Sequence, residues 1–299
     1  MPNWSDVSQE LSRWRSSGIR PVFWVRDDDA VSPTPQLDRL SALARLFDFK
    51  VGLGVIPSQL KPDLASVLRA DALPVVPMCH GWRHLDHKTE PWPAEFGPHR
   101  PIDESRADLR QACERFVELL GETQPFFVPP FGQICSRAVA ALAPIGFGGL
   151  SSQPSRLRSR VARLNASKPH LPSNFFGAGL ADDGLNVQID PIDWRRGSAK
   201  SDATVALAVL GELRARRKRH IDPAAPIGIL THHLVHDDAI WDVCTRLFEV
   251  LRGSGVAVFP ELRPLADAHR FKALPRLPAA GLPWRRGTQN SAARAQIGK

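Results

Sequence analysis

Apolar runs of strand length alternate with segments of helical period along most of the chain. Between the apolar runs, hydrophobic residues recur at three- and four-residue spacing, which predicts helices over 34–48, 61–70, 103–120, 201–219 and 239–252. The runs themselves predict strands at residues 21–28, 50–57, 73–80, 125–132, 147–152, 185–194, 227–233 and 256–262. This alternation is typical of an α/β protein.

The apolar runs are continuous rather than alternating, which is typical of parallel strands buried on both faces. Seven or eight such strands favour a (β/α) barrel, and a doubly wound open sheet is the alternative. Residues 153–184 interrupt the pattern because they are rich in Arg, Pro, Gly and Asn. We therefore predict one barrel domain over residues 1–271, with 153–184 as an inserted loop or lid.

Composition agrees with a globular protein, since 43% of the 299 residues are hydrophobic. The four cysteines are widely spaced and form no CxxC pair, so we interpret them as reduced thiols. The N-terminal region is polar, and no apolar run approaches the roughly 20 residues that span a bilayer. We expect a cytoplasmic protein with no membrane span.

The net charge of +8 lies mostly in the last segment, residues 272–299, which contains six basic residues and no acidic one. This segment lacks periodicity and is rich in Pro, Gly and Ala, so we predict a disordered tail. No aromatic residues are interleaved with its charges at recognition spacing, and we expect no specific nucleic-acid partner. The sequence leaves the oligomeric state open.

Polar residues follow five of the predicted strands at the point where each strand ends. In a (β/α) barrel these ends meet on one face, where active sites lie. For the three aspartates alone, a solvated strand end or a cap for the helix near residue 34 is an alternative interpretation. The polar groups are residues 27–29, 80–84, 129–132, 190–194 and 231–233.

An aspartate and two histidines from different loops are the ligands of a catalytic zinc site that keeps a fourth position open. The chemistry that suits this set is hydrolysis of an amide or ester carbonyl. One carboxylate binds the metal, a neighbouring carboxylate takes a proton from water, and a histidine protonates the leaving group. A backbone N–H would stabilise the oxyanion.

Five motifs, in order over about residues 20–262, resemble those of the polysaccharide deacetylase family, also described as NodB homology or carbohydrate esterase family 4. The resemblance implies a distorted (β/α)₇ barrel. Residues 26–30, RDDDA, align with the family's TFDDG motif, which implies Asp28 as general base and Asp29 as metal ligand. The family's histidine pair matches His80 and His84, which would complete the metal triad.

The resemblance also implies roles for residues at the later strand ends. Asp193 would orient another catalytic residue, and His232, in a Leu230-Thr231-His232 motif, would be the general acid. The main-chain N–H of Phe131 would bind the oxyanion. The residues that would line the substrate and oxyanion pocket are Pro130, Phe131, Gly132, Trp194 and Leu230, with Trp194 as a wall of the acetate pocket.

Two departures from the family pattern concern the general base. The arginine that usually precedes the third motif is Val128 here, and the glycine of the first motif is Ala30. Since that arginine holds the base ionised and oriented, its loss would weaken catalysis unless another cation replaced it. We hypothesise that Arg26 supplies the cation from the same strand end, paired with Asp193.

The motifs resemble those of a divergent bacterial branch of the family, whose members have no signal peptide. This resemblance implies a metal-dependent hydrolase. It would remove an N-acetyl or O-acetyl group from a small saccharide or an acetylated saccharide-containing precursor. Zn²⁺ is the expected metal, with Co²⁺, Ni²⁺ and Mn²⁺ as alternatives. Two other functions stay open. One is hydrolysis of another non-peptide C–N bond on the same fold. The other is a catalytically degenerate sugar-binding or regulatory protein, which the departures at Val128 and Ala30 would favour.

Overall fold

The computed structural model describes residues 2–87, 93–153 and 184–271. The predicted tail at 272–299 lies outside the described residues, as does the predicted lid apart from its end residues 153 and 184.

Helices and strands alternate along the described residues, as the hydrophobic pattern predicts. The helices are α1 Trp4–Ser16, α2 Pro35–Leu46, α3 Pro62–Arg69, α4 Ile102–Leu120, α5 Ser136–Ile145, α6 Asp202–Arg217, α7 Asp238–Gly253 and α8 Leu262–Ala268. The strands are β1 Phe23–Ala30, β2 Val51–Val55, β3 Val75–His80, β4 Phe126–Val128, β5 Gly149–Leu150, β6 Ile192–Asp193, β7 Ser198–Ala199 and β8 Ile227–Thr231. Single 3₁₀ turns follow β4 at Pro130–Gly132 and β8 at His233–Val235.

Six parallel strands form one sheet in the order β5-β4-β3-β2-β1-β8, and β6 and β7 form a separate antiparallel pair. The predicted fold class, an α/β protein with a distorted (β/α) barrel, is confirmed. The run at 256–262 is not a strand among the described residues, since it contributes only a single parallel bridge between Val22 and Val258.

An irregular segment, residues 185–190, joins the two edges of the six-stranded sheet. On one side, the Leu185 N–H donates to Leu150 O (3.2 Å) at the β5 edge. On the other, the Leu230 N–H donates to Ile189 O (2.7 Å) at the β8 edge. Gly228 permits this approach, because a Cβ there would lie 2.3 Å from a carbonyl of the segment. The barrel is therefore closed by a seventh, mostly irregular segment.

Alternation along the strands separates two apolar cores. Phe23 and Val25 point towards the helices and join the larger core, whereas Trp24 points into the barrel and joins a smaller one. Each helix buries one face against the outside of the barrel; α7, for example, buries Trp241 and Leu247. Full burial of a side chain of this size stabilises the fold by about 1.5–3 kcal/mol. The helix near residue 34 is capped by Thr34, whose side chain accepts from the Leu37 N–H (3.1 Å), and not by the aspartates of β1.

No helix among the described residues combines the length and the apolar character that crossing a bilayer requires.

Candidate metal centre and active site

A β-bulge at the end of β1 sends the three successive aspartates in different directions. Asp27 is opposite Leu53 of β2, but Ala30 is opposite Val55, so β1 carries one extra residue between these pairs. Asp29 takes the left-handed conformation there, with φ of +76°. Such bulges re-aim side chains next to functional sites. The Asp27 side chain is consequently buried towards the helices. The Asp28 side chain points into the barrel, on the same side of β1 as Arg26, and Asp29 lies at the more exposed end of the barrel.

Asp29 meets two histidines from the loop after β3. Its Oδ1 lies 3.0 Å from Nε2 of His80 and 3.3 Å from Nε2 of His84. One ligand atom from each of the three residues lies within 4.8 Å of the others. The structure therefore brings together the three residues that the sequence predicts as metal ligands.

The hydrogen bonding of His80 tests whether these residues suit a cation. Its Nδ1 lies 3.1 Å from the Val128 carbonyl, which can only accept, so Nδ1 carries the proton. In the neutral ring, Nε2 is then an acceptor that faces the Asp29 carboxylate, and two acceptors at that distance need a cation between them. Without one, burial lowers the pKa of His80, but Asp28 and Asp29 outweigh it and raise the pKa above its usual value.

The pKa shifts of the other two residues favour the protonation states that ligate metals. Burial raises the pKa of Asp29, but its contact with His80 and the charges of the neighbouring histidines together outweigh burial and hold the pKa well below the ordinary value. Burial lowers the pKa of His84 despite the opposing charge of Asp29. A carboxylate and two imidazoles fit Zn²⁺ and the other divalent ions of the first transition row.

The loop that carries His84 is held by Glu95, a residue that the sequence reasoning missed. The buried Glu95 carboxylate accepts hydrogen bonds from the Trp82 N–H (3.1 Å) and the Arg83 N–H (2.7 Å). Gly81 starts the loop with φ of +64°, and a Cβ there would lie 2.2 Å from the Glu95 carboxylate. The only signal in the sequence was the acid of the EFG run at residues 95–97.

Arg26 forms a buried ion pair with the predicted general base. Its Nη2 donates to Oδ2 of Asp28 (2.9 Å), and both side chains are almost fully buried. Its Nη1 donates to the carbonyl (3.0 Å) and the hydroxyl (2.8 Å) of Ser151, at the end of β5. The hypothesis that Arg26 pairs with Asp193 is wrong for the described residues, because its hydrogen bonds there go to Asp28 and Ser151.

Val128 occupies the position of the family's arginine and has a different local role. Its side chain is buried in the core inside the barrel, and its carbonyl accepts from Nδ1 of His80 and from the Gly81 N–H (3.1 Å). Ala30, in place of the family's glycine, is buried in the outer core. Neither substitution disturbs the hydrogen bonds of the neighbouring candidate ligands.

His232, the predicted general acid, lies on the other side of Asp28. Its Nε2 is 4.0 Å from Oδ2 of Asp28, and its ring packs edge-to-face on Trp194 with 4.6 Å between centroids. The Trp194 indole N–H is held by Oδ2 of Asp190 (2.8 Å), and the ring is half exposed. Among the described residues, Nδ1 of His232 is buried and has no hydrogen-bond partner.

The structure does not bring Asp193 into contact with a predicted catalytic group among the described residues. Oδ1 of its carboxylate accepts from the Arg195 N–H (3.1 Å), and its carbonyl accepts from the next residues of the same turn. Its predicted role in orienting a catalytic residue therefore has no contact to support it here.

The predicted oxyanion turn lies beside His84. Phe131 has φ of +58°, and its ring centroid is 4.4 Å from that of His84. Pro130 is buried against Gly81, and Gly132 continues the turn with φ of +67°. Leu230 points into the core inside the barrel, opposite Arg26 in the β1–β8 ladder, so it forms the floor of the site rather than its rim.

Fold and site together define a (β/α)-barrel protein with a candidate metal centre at the carboxyl ends of its strands. No protein-family model and no curated protein matches the sequence. Among solved structures, a T48 deacetylase with substrate is 13% identical and has a TM-score of 0.48, over 83% of this chain and 92% of that one.

Two further solved structures have the same TM-score of 0.48. A family 4 carbohydrate esterase from Streptomyces lividans in complex with acetate is 13% identical, over 80% of this chain and 92% of that one. A mutant of a family 4 pseudoenzyme with restored enzymatic activity is 17% identical, over 84% of this chain and 68% of that one.

Proposed function

We propose that this protein is a metal-dependent hydrolase that removes an N-acetyl or O-acetyl group from a small saccharide or an acetylated saccharide-containing precursor. The observation that carries the proposal is the buried Arg26–Asp28 pair directly beside the Asp29–His80–His84 donor set. A carboxylate kept next to a guanidinium and next to three metal ligands is suited to accept a proton from water. In this pair, Arg26 takes the place of the arginine that the family resemblance leads us to expect at position 128.

Asp29, His80 and His84 would hold the metal, with Zn²⁺ as the first choice and Co²⁺, Ni²⁺ or Mn²⁺ as alternatives. A cation held by these ligands supplies Lewis acidity, which polarises the substrate carbonyl and acidifies water. The Val128 carbonyl would keep His80 in the tautomer that leaves Nε2 free to ligate.

The surrounding residues would divide the remaining steps. Asp28 takes the proton from the attacking water. Before this transfer, Arg26 holds the Asp28 carboxylate in place and balances its negative charge. The Phe131 N–H donates to the oxyanion that develops on the carbonyl. His232 protonates the departing amine or alcohol, and Trp194 forms a wall of the pocket for the acetyl group.

The experiment is an acetate-release screen over N- and O-acetylated sugars with the zinc-loaded protein. We expect acetate release by the wild type and a loss of at least about a hundredfold in kcat for Asp28→Asn, which removes the base. Glu10→Gln is a matched control, because Glu10 is also a buried, ion-paired carboxylate but lies in α1. Equal activity of Asp28→Asn and the wild type would contradict the proposed mechanism.

The same screen separates the two remaining alternatives. Release of ammonia or an amine without acetate would favour hydrolysis of another C–N bond. Binding of acetylated sugars by the metal-loaded protein, with no hydrolysis of any of them, would favour a sugar-binding protein.

A further inference from the structure

We infer that Asp27, through His233 and Thr231, is a positioning residue for the proposed general acid His232. The inference rests on the proposed function of His232. It concerns the first of the three aspartates, for which the sequence offered no role. In the part of the chain that the structure describes, the hydrogen bonds of the Asp27 carboxylate go to Thr231 and His233 and not to a candidate metal ligand, so it would act through these neighbours.

Both chain neighbours of His232 are anchored on the Asp27 carboxylate. Oδ2 of Asp27 accepts from the Thr231 hydroxyl (2.7 Å) and from the His233 N–H (2.8 Å), and Oδ1 contacts Nδ1 of His233. Asp27, Thr231 and His233 are all fully buried. The peptide that carries His232 is thus held on both sides by one buried carboxylate.

A third contact fixes the main chain of His232 itself. Its N–H donates to Nε2 of His236 (3.2 Å), whose ring packs edge-to-face on Trp241. Because Nε2 accepts this bond, His236 is neutral there, and burial lowers its pKa to about 4. The main chain of His232 is therefore tied to the barrel through Asp27 and to α7 through His236.

The His232 ring itself has few restraints. Its Nδ1 has no hydrogen-bond partner among the described residues, and Asp193, the predicted orienting residue, is bonded to its own turn. The ring contacts Trp194 and approaches Asp28. An imidazole whose Nδ1 has no carboxylate partner among the described residues depends on its backbone for its direction, and Asp27 fixes that backbone together with His236.

The test uses two acetyl donors with different leaving groups, measured on the zinc-loaded full chain. An N-acetylated sugar needs a proton from His232 as its C–N bond breaks, whereas 4-nitrophenyl acetate releases a stable anion and needs none. Asp27→Asn removes the charge and one acceptor oxygen at nearly constant shape. We expect kcat for the sugar to fall about 10- to 100-fold with KM nearly unchanged, and kcat for 4-nitrophenyl acetate to stay within about threefold.

Two variants of His233 keep the test valid if Asp27→Asn folds poorly. His233→Asn retains an N–H donor that can reach Asp27, and should recover most of the activity on the sugar. His233→Leu retains bulk and the main-chain N–H but no side-chain donor to Oδ1 of Asp27, and should lose activity on the sugar in the same direction as Asp27→Asn. Equal losses on both substrates for Asp27→Asn and His233→Leu, or no loss on either substrate, would overturn the inference.

A measurement that needs no turnover separates this inference from the proposed function. The nuclear Overhauser effect between the Trp194 indole and the His232 ring, which are in contact in the structure, reports the ring's position. We expect it to weaken in Asp27→Asn and to persist in Glu10→Gln. If the wild type hydrolyses neither donor but the effect is lost in Asp27→Asn, the positioning role stands and the proposed function falls. An unchanged effect in Asp27→Asn overturns the positioning role.

Discussion

The two sides of the β1 terminus differ in how their polar groups are satisfied. On the β8 side, the Asp27 carboxylate is fully buried, and both of its oxygens contact donors from the protein. On the β3 side, Asp29 is about one-third exposed, and its Oδ1 faces the acceptor nitrogen of His80. Two residues of one strand, two positions apart, therefore have opposite requirements: the Asp27 carboxylate is complete within the fold, and the Asp29 carboxylate requires a bound cation or an extra proton.

This difference separates structural polar groups from ligand-binding ones. A buried carboxylate whose two oxygens both meet donors rigidifies a fold. A partly exposed cluster of facing acceptors, in a left-handed backbone conformation, is stable only with a bound positive charge or an extra proton. Asp28 lies between the two, paired with Arg26 on one oxygen, while its buried Oδ1 has no partner among the described residues.

The largest expected effect comes from removing a ligand on the β3 side. Asp29→Gly removes the carboxylate and suits the left-handed backbone, so the fold should not be weakened. We expect bound metal to fall from about one to under about 0.1 per chain, and activity by at least about a thousandfold. Elemental analysis after dialysis measures the first quantity. Asp27→Asn is the matched variant from the β8 side and should keep its metal; retention of metal by Asp29→Gly would refute the assigned site.

A chelator should produce the same contrast between the Asp27 and Asp29 variants in thermal stability. Metal that binds only the folded state stabilises it by about 2.7 kcal/mol at a hundred times its Kd. Removing the metal should therefore lower the Tm of the wild type and of Asp27→Asn. The Tm of Asp29→Gly should not respond, and a response as large as that of the wild type would show that the metal is bound elsewhere.

The next effect concerns the ion pair between the two sides. Arg26→Ala leaves the buried Asp28 without its cation, which should cost about 3–5 kcal/mol of unfolding free energy in urea. The double variant Arg26→Ala with Asp28→Asn removes the unpaired charge and should recover at least half of the loss. Ser151→Ala removes only one hydrogen bond of Arg26 and should cost about 1 kcal/mol. A loss in Arg26→Ala no greater than in Ser151→Ala would show that the pair is unimportant.

The smallest effect is a pH dependence on the β8 side. Burial lowers the pKa of His236 from 6.5 to about 4 in the fold. The negative charges of Asp27 and Asp237 act to raise this pKa, whereas the charges of His232 and His233 lower it further. Between these values the unfolded chain binds more protons, so this histidine makes stability fall as the pH is lowered from 6.5 to 4. Urea unfolding at several pH values should show a shallower acid slope for His236→Gln. An identical slope would contradict the burial of this ring.

Much of the site could be predicted because the pattern of strand ends is local. The apolar runs show where each strand stops, and parallel strands bring these stops to one face, so the aspartates of β1 could be grouped with His80 and His84 from sequence. The family resemblance then selected Asp29 among the three aspartates. The directions of the three aspartates could not be predicted, since they depend on a bulge set by the pairing of β1 with β2. Glu95 and Ser151 were missed because they are distant in sequence from their partners. Glu95 accepts from main-chain N–H groups, and Ser151 accepts from Arg26 through its carbonyl and its hydroxyl.

The alternation of strands and helices, and the residues available at the strand ends, follow from local periodicity and composition. The partners of those residues depend on how the strands and helices pack together. In the folded chain, Arg26 pairs with Asp28 and Ser151 rather than with Asp193. Residues 185–190 close the barrel, and Asp27 contacts His233. The physical reason is that a buried charge must find its partner in space, and distance along the chain does not constrain which strand supplies it.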